Sequence, residues 1–481
     1  MSKNLTPQLY LTYTCPVSRF TYAGHPSHGT LHEHTNDLAE AVSRIKGHAS
    51  RYGQPVSWVI NDQEYLNLEG LMPDFVRWQS EGDSILVTLE LTTSPAGVDK
   101  TDTAAVLGWI SERCREAGFT PDGLWSLKFF ESDLAAISTL PKEEYPWTRN
   151  LAGSCWHQEG IDDSTWLGCP YNPYYPALWN SKAVSQPDEP QDFLMLEWLT
   201  RDVTAILSGG FPATFSLDPA DANRKDAAGF STEQAALEYS NRLIDETARQ
   251  VAFNPTVVVN INEEARHYQT EGHDKDLMLD GMFARFAEIR QGGLPGVEVY
   301  QAGYRELWGA FRQRHPVTPE RIFITSDLDP RDSSEMTGPG AYIFRVKGET
   351  AVLYEDAKVQ MCFLKARGAL PVEFYNYADK VSGNDTNEPY PRTAVPQFQL
   401  RDLRFQKTSA GVEVNLAVFA PQSASDIGFM FWEVPVKGDE VLKSASPNVL
   451  SARATPAGLF VRLRDVDGHT EASVTMERAV G

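Results

Sequence analysis

No apolar run in the 481 residues approaches the length needed to cross a bilayer, which excludes a helical membrane protein. Cysteine is scarce. Cys15, Cys114, Cys155, Cys169 and Cys362 are scattered, odd in number and without a C-x-x-C spacing, so a disulfide scaffold or zinc knot is excluded and buried thiols are expected. Positive charge is also short: 43 Lys and Arg stand against 65 Asp and Glu, a formal charge of −22 with a pI near 4.9. That balance repels phosphate backbones and anionic lipid, so neither nucleic acid nor a membrane is an expected partner. The opening MSKNLTPQLYLTYT lacks the basic segment and apolar stretch of a secretory leader, and a cytoplasmic location is expected, with a secreted chain trimmed of its leader as the alternative. Repeats and low-complexity linkers are missing too.

What is present is a globular composition, 42% hydrophobic and 22% charged, over a length that suggests two domains. Short β-branched or aromatic runs alternate with amphipathic stretches: LYLTYT (9–14), PVSWVIN (55–61), SILVTLE (84–90), GLWSLKFF (123–130), LAGSCW (151–156), PATFSLD (212–218), TVVVNIN (256–262) and GVEVYQ (296–301). Between them NDLAEAVSRIKGHASRY, TDTAAVLGWISERCREAG, EQAALEYSNRLIDETARQVA and DLMLDGMFARFAEIRQGG repeat apolar residues every three or four positions. Asn36 and Asp37, Thr101 and Asp102, and Ser231 and Thr232 are capping types, and Gly118 and Gly292 fit helix stops. This pattern predicts a TIM-like (β/α)8 or (β/α)7 barrel over residues 1–318. After Pro319, runs such as RIFITSD, AYIFRVKG, PVEFYNY, GVEVNLAVFA (411–420), DIGFMFWEV (426–434) and GLFVRLRDV are separated by turn residues, predicting a C-terminal β-sandwich over 319–481.

In a barrel of this kind the chemistry gathers where strands end. The residues just past the predicted strands are Asp62, Glu90, Lys128 and Glu131, then Trp156, His157 and Asp162, then Asp218, and finally Glu263 and Glu264 with His267 nearby. A lone carboxylate at a strand end often serves only as a helix cap. The Glu263–Glu264 pair in NINEEARHY follows a wholly apolar strand and starts no obvious helix, which makes it the leading catalytic candidate, with Asp218, Asp162, Glu131 and Glu90 as the possible partners. The long loop HQEGIDDSTWLGCPYNPYYPALWN adds Tyr174, Tyr175 and Trp179 to Trp156 and His157. Aromatic faces beside carboxylates suit sugar rings, and two carboxyl groups are what glycoside hydrolysis requires.

The stretch HPSHGTLHEHTND holds His28, His32 and His34 at spacings that could converge on a metal. LHEHTND resembles the first motif of histidinol-phosphatase-like phosphoesterases, but Ile60-Asn61-Asp62 stands where their next histidine pair belongs. His32, Glu33 and His34 with Lys128 and His157 match part of an amidohydrolase pattern, and strand six ends in Asp218 instead of His. His28 and His32 have the spacing of a deacetylase pair, while LYLTYTCP lacks the Asp pair. No cofactor is therefore predicted, and a divalent metal on His28, His32 and His34 is the alternative. The preferred role of His32 and His34, with Asp62, Glu90, Lys128 and His267, is to bond sugar hydroxyls.

The order RYGQPVSWVIND, EAGFTPDGLWSLKFF, CPYNPYYPALWN and EIRQGGLPGVEVYQAGYRELW resembles the glycoside hydrolase/deacetylase superfamily over roughly residues 30–315. Within it the chain is similar to a bacterial family of two-domain proteins in which a PYYP loop precedes a segment like FLMLEWLTRD. The resemblance implies a barrel with a companion β domain and a carbohydrate-directed hydrolase. The expected function is a glycoside hydrolase acting on an oligosaccharide or polysaccharide through paired carboxylates. A metal-dependent deacetylase or phosphoesterase is one alternative, and a sugar lyase or non-catalytic glycan binder is another.

Overall fold

The computed structural model describes residues 6–17, 20–22, 31–33, 38–66, 70–89, 91, 96–99, 101–126, 131–153, 173–178, 180–184, 190–197, 199–200, 216–219, 232–252, 254–265, 268, 275–319, 321–325, 341–346, 349–354, 361–364, 399–431, 434, 436, 440–455 and 458–478. Its central element is an eight-stranded parallel sheet. We number its strands β1 (Gln8–Val17), β2 (Ser57–Ile60), β3 (Ser84–Thr88), β4 (Gly123–Ser126), β5 (Asn150–Gly153), β6 (Leu194–Glu197), β7 (Thr256–Asn262) and β8 (Glu298–Gln301). The order is β6-β5-β4-β3-β2-β1-β7. β8 lies on the β2 side of β1, pairing with Gln8–Leu11 while β2 takes Thr14–Val17. The path is therefore that of seven strands, with β7 directly against β1.

Between the two outer strands the backbone is bridged. Thr200 donates its N–H to the Asn260 carbonyl at 3.0 Å, Leu217 donates to the Thr200 carbonyl at 2.8 Å, and Asn262 donates to the Leu217 carbonyl at 3.1 Å. Seven of the eight predicted strand runs coincide with parallel strands. The eighth, PATFSLD, is described only at Ser216–Asp218, and the strand next to β5 is Leu194–Glu197. LMLE is four residues without alternation, so period-two reading passes over it.

Helices cover the outer face: α1 (Leu38–Arg51), α2 (Asp62–Tyr65), α3 (Met72–Glu81), α4 (Thr103–Glu116), α5 (Glu131–Ser138), α6 (Glu233–Arg249) and α7 (Lys275–Gly292). Asp102 caps α4 by accepting from Ala104 and Ala105, and Thr232 caps α6 by accepting from Ala235. On this face Trp58 is fully buried, 5.3 Å from Trp78 and 5.4 Å from Phe75 of α3. Its indole N–H donates to Asp83 at 2.8 Å, and Asp83 also accepts from the Val56 amide and the Lys46 ammonium of α1. One buried carboxylate thus ties a helix to two strands.

An eighth helix, α8 (Tyr304–Arg314), follows β8 and lies on the opposite face, along the strand starts. Its first amides have no partner inside the helix. Ser57 Oγ accepts from Tyr304 N at 3.0 Å and Ser84 Oγ from Arg305 N at 3.0 Å, so the first residues of β2 and β3 cap it. Trp308 packs where any side chain on Gly123 would collide, since a Cβ there would lie 2.5 Å from the indole. Arg312 bonds the Arg149 carbonyl at 2.7 Å, and His315 bonds Thr256 at 2.8 Å. α8 is the floor of the space the strands enclose.

Beyond α8 the sheets are largely antiparallel. Arg321–Thr325, Ala341–Val346 and Glu349–Tyr354 form one of three strands. A six-stranded sheet is built on Gly411–Phe431 and Gly458–Arg478, which pair with a register shift between Ala420 and Ala424. Runs expected as two strands, 411–420 and 426–434, are one strand through Phe431, while PVEFYNY lies outside the described residues.

Trp58→Ala is expected to cost about 3 to 5 kcal/mol of stability in a denaturant titration, since it opens a cavity and leaves Asp83 short of a donor. A loss below about 1 kcal/mol would contradict this packing.

Candidate active site at the strand ends

The pairing of β1 with β7 sets which side chains reach the enclosed space. Thr12 aligns with Asn260 and Thr14 with Asn262. Thr12 Oγ1 donates to Asn260 Oδ1 at 2.7 Å, and Thr14 bonds both the Asn260 side chain and the Tyr304 hydroxyl of the floor helix. Even-numbered β1 residues and Asn260 and Asn262 therefore face inward. Because successive strand residues alternate, Tyr13, Cys15 and Ile261 face the helices, as the edge-on contact of Tyr13 with Phe283 of α7 at 5.0 Å shows.

At the mouth Asn262 Nδ2 donates to Asp218 Oδ2 at 3.2 Å, so a carboxylate 44 residues away is oriented by the last residue of β7. The next residue, Glu263, continues the ladder by donating its N–H to the Thr14 carbonyl at 3.2 Å. Its side chain takes the outward direction. It is fully buried, with Lys275 Nζ, the first residue of α7, 3.4 Å from Oε1. Oε2 is buried and has no hydrogen-bond partner among the described residues. Burial pushes the Glu263 carboxyl up to about 8 against the pull of Lys275, and the nearby Asp218 and Glu264 push the same way. Burial likewise raises Tyr13 and Cys15, with Glu263 contributing to both. Glu264 is half-buried. Three carboxyl groups thus share one strand end.

Lys275 is held by a latch between α1 and α7. The following residue, Asp276, bonds the Tyr268 hydroxyl, Arg44 and His48 Nε2, the last at 2.8 Å. His48 Nδ1 meets Asp280 at 2.7 Å, and Arg51 meets Asp280 at 2.6 Å. Burial alone would raise both aspartates, and these donors hold them below the usual carboxylate range.

Of the residues singled out in the sequence, Glu263, Glu264 and Asp218 come together. Tyr174 and Tyr175 are buried, and Tyr175 donates its hydroxyl to the His315 carbonyl at 2.6 Å, at the floor end rather than the mouth. Asp62 is fully buried at the start of α2, and Glu131 opens α5. Glu90, Lys128, Trp156, His157, Asp162, Trp179, His267, His28 and His34 lie outside the described residues, and of His32 only the backbone of strand Leu31–Glu33 is described. Among the described residues no three His, Cys, Asp or Glu side chains form a metal-holding group, and no helix is long and apolar enough to cross a membrane.

Lys275 escaped the sequence reading. A signal existed, because a cation in a first helical turn opposes the macrodipole and so calls for a carboxylate nearby.

No family model and no curated protein matches the chain. Among solved structures, it is similar to a protein of Parabacteroides distasonis described as a glycoside hydrolase/deacetylase, at 15% identity over 67% of this chain and 76% of that one, with a TM-score of 0.49. A protein of Mycobacterium smegmatis described as a polysaccharide deacetylase matches at 14% identity over 66% and 95%, with a TM-score of 0.37. An allantoinase matches at 12% identity over 65% and 93%, with a TM-score of 0.39.

A carboxyl raised in the folded state holds its proton where the unfolded chain has lost it. Stability from Glu263 is therefore full at pH values below its ordinary 4.5 and is lost as pH rises toward about 8. Glu263→Gln is expected to remove that slope, so that the stability of the wild type relative to the variant falls between these values and is level above them. A difference independent of pH would contradict a proton held on Glu263.

Proposed function

We propose that the chain is a carbohydrate-active hydrolase, a glycoside hydrolase working through carboxylates at the mouth of the parallel sheet. The observation that carries the reading is the cluster at the end of β7. Asp218 stands on the inner side, oriented by Asn262, within the field of a buried Glu263 that keeps a proton near neutral pH. Glycoside hydrolysis needs an acid and a base available at one pH, and crowded carboxyls of unequal burial supply both.

In this reading Asp218 and Glu264 are the groups that meet the sugar. One protonates the leaving oxygen and the other attacks the anomeric carbon or activates water. Glu263, turned to the helix layer and without exposed surface, stays protonated near neutral pH and so adds no negative charge behind the pair. Trp156, His157, Asp162 and Trp179 remain candidates for the rim, and an oligosaccharide or polysaccharide is the proposed substrate.

The test is steady-state kinetics on a glycan that the wild type cleaves. Asp218→Asn and Glu264→Gln are each expected to lower kcat by about 100-fold or more. If both variants keep wild-type turnover, the mouth carboxylates are not the catalytic groups.

A further inference from the structure

We propose that Lys275 is a positioning residue for the carboxyl cluster: its ammonium, fixed at the start of α7 by the latch to α1, limits how firmly the buried Glu263 holds its proton. The inference rests on reading the cluster as the acid–base site.

The geometry argues as follows. Lys275 is 6% exposed and Glu263 fully buried, so their interaction is screened far less than a surface pair. Lys275 Nζ stands 3.4 Å from Oε1, while Oε2 has no hydrogen-bond partner among the described residues and is the oxygen placed to carry the proton. The other titratable groups facing Glu263 are Tyr13 and Cys15 from β1, Asp218 from the Ser216–Asp218 segment, the adjacent Glu264, and Tyr268. Among the described residues that act on Glu263, Lys275 is the cation, so the pair's charge balance depends on where its ammonium sits. Its neighbour Asp276 is pulled the other way, onto Tyr268, Arg44 and His48. Two successive residues held in opposite directions leave the helix start little freedom to turn, and the ammonium stays on the buried side.

Removing the ammonium should make ionisation of Glu263 harder. The test is an infrared difference titration of the full chain, following the carbonyl stretch of a protonated, buried carboxylic acid. In the wild type the band is expected to disappear with a midpoint near 8, and Glu263→Gln is expected to lack it. Lys275→Met is expected to move the midpoint upward by about one unit or more, while Lys275→Arg restores it toward the wild-type position. If Lys275→Met does not fold, Lys275→Gln serves as the same test. An unmoved or lowered midpoint in the neutral variants, or a band that survives Glu263→Gln, overturns the proposal. The titration needs no substrate, so its outcome is separate from whether Asp218→Asn and Glu264→Gln abolish hydrolysis.

Discussion

Everything at the mouth depends on the in-register parallel pairing of Gln8–Thr14 with Thr256–Asn262. The pairing commits one parity of both strands to the enclosed space and the other to the helices, and a slip of one residue would exchange them. The register is fixed by side chains as well as by the ladder. Thr12 and Thr14 bond Asn260, and Thr14 reaches the floor helix through Tyr304, so a shifted strand would bury these hydroxyls against Phe283 and its neighbours. Asn262 faces Asp218 as a consequence, and Glu263 is delivered to the opposite layer.

The two layers carry different electrostatic tasks. Inside, below the mouth, the polar groups are neutral and bond one another: Thr12, Thr14, Thr200, Asn260 and the Tyr304 hydroxyl. Outside, at the same height, a buried carboxyl meets a buried ammonium, and a partly exposed network of Arg44, His48, Arg51, Asp276 and Asp280 surrounds the helix that carries the ammonium. Burying an ion pair is seldom a net stabilisation, because desolvation opposes the attraction. Its presence behind an acidic mouth is therefore better understood through protonation than through stability, and it links the packing of α1 on α7 to the chemistry at the strand end.

Much of this was legible in the sequence. The alternation of TVVVNIN already puts Asn260 and Asn262 on one face and Val259 and Ile261 on the other, and continuing it one residue places Glu263 on the apolar side. The pairing of the glutamates with Asp218 was also within reach, since both follow predicted strands. What stayed hidden has physical causes. Leu194–Glu197 is too short for a period to show, and the merging of 411–420 with 426–431 depends on long-range pairing with Gly458–Arg478. The orientation of Tyr175 is set by His315, 140 residues away, so its composition suggested a sugar platform while its hydroxyl serves the floor.

The most direct test of a glycoside-hydrolysing mouth is mass spectrometry of the products formed from a glycan panel in heavy-oxygen water. The account predicts shortened sugars carrying one heavy oxygen at the new reducing end, absent when Asp218 is replaced by Asn. Full-length sugars that have lost acetyl groups, with the label in the released acetate, would contradict it.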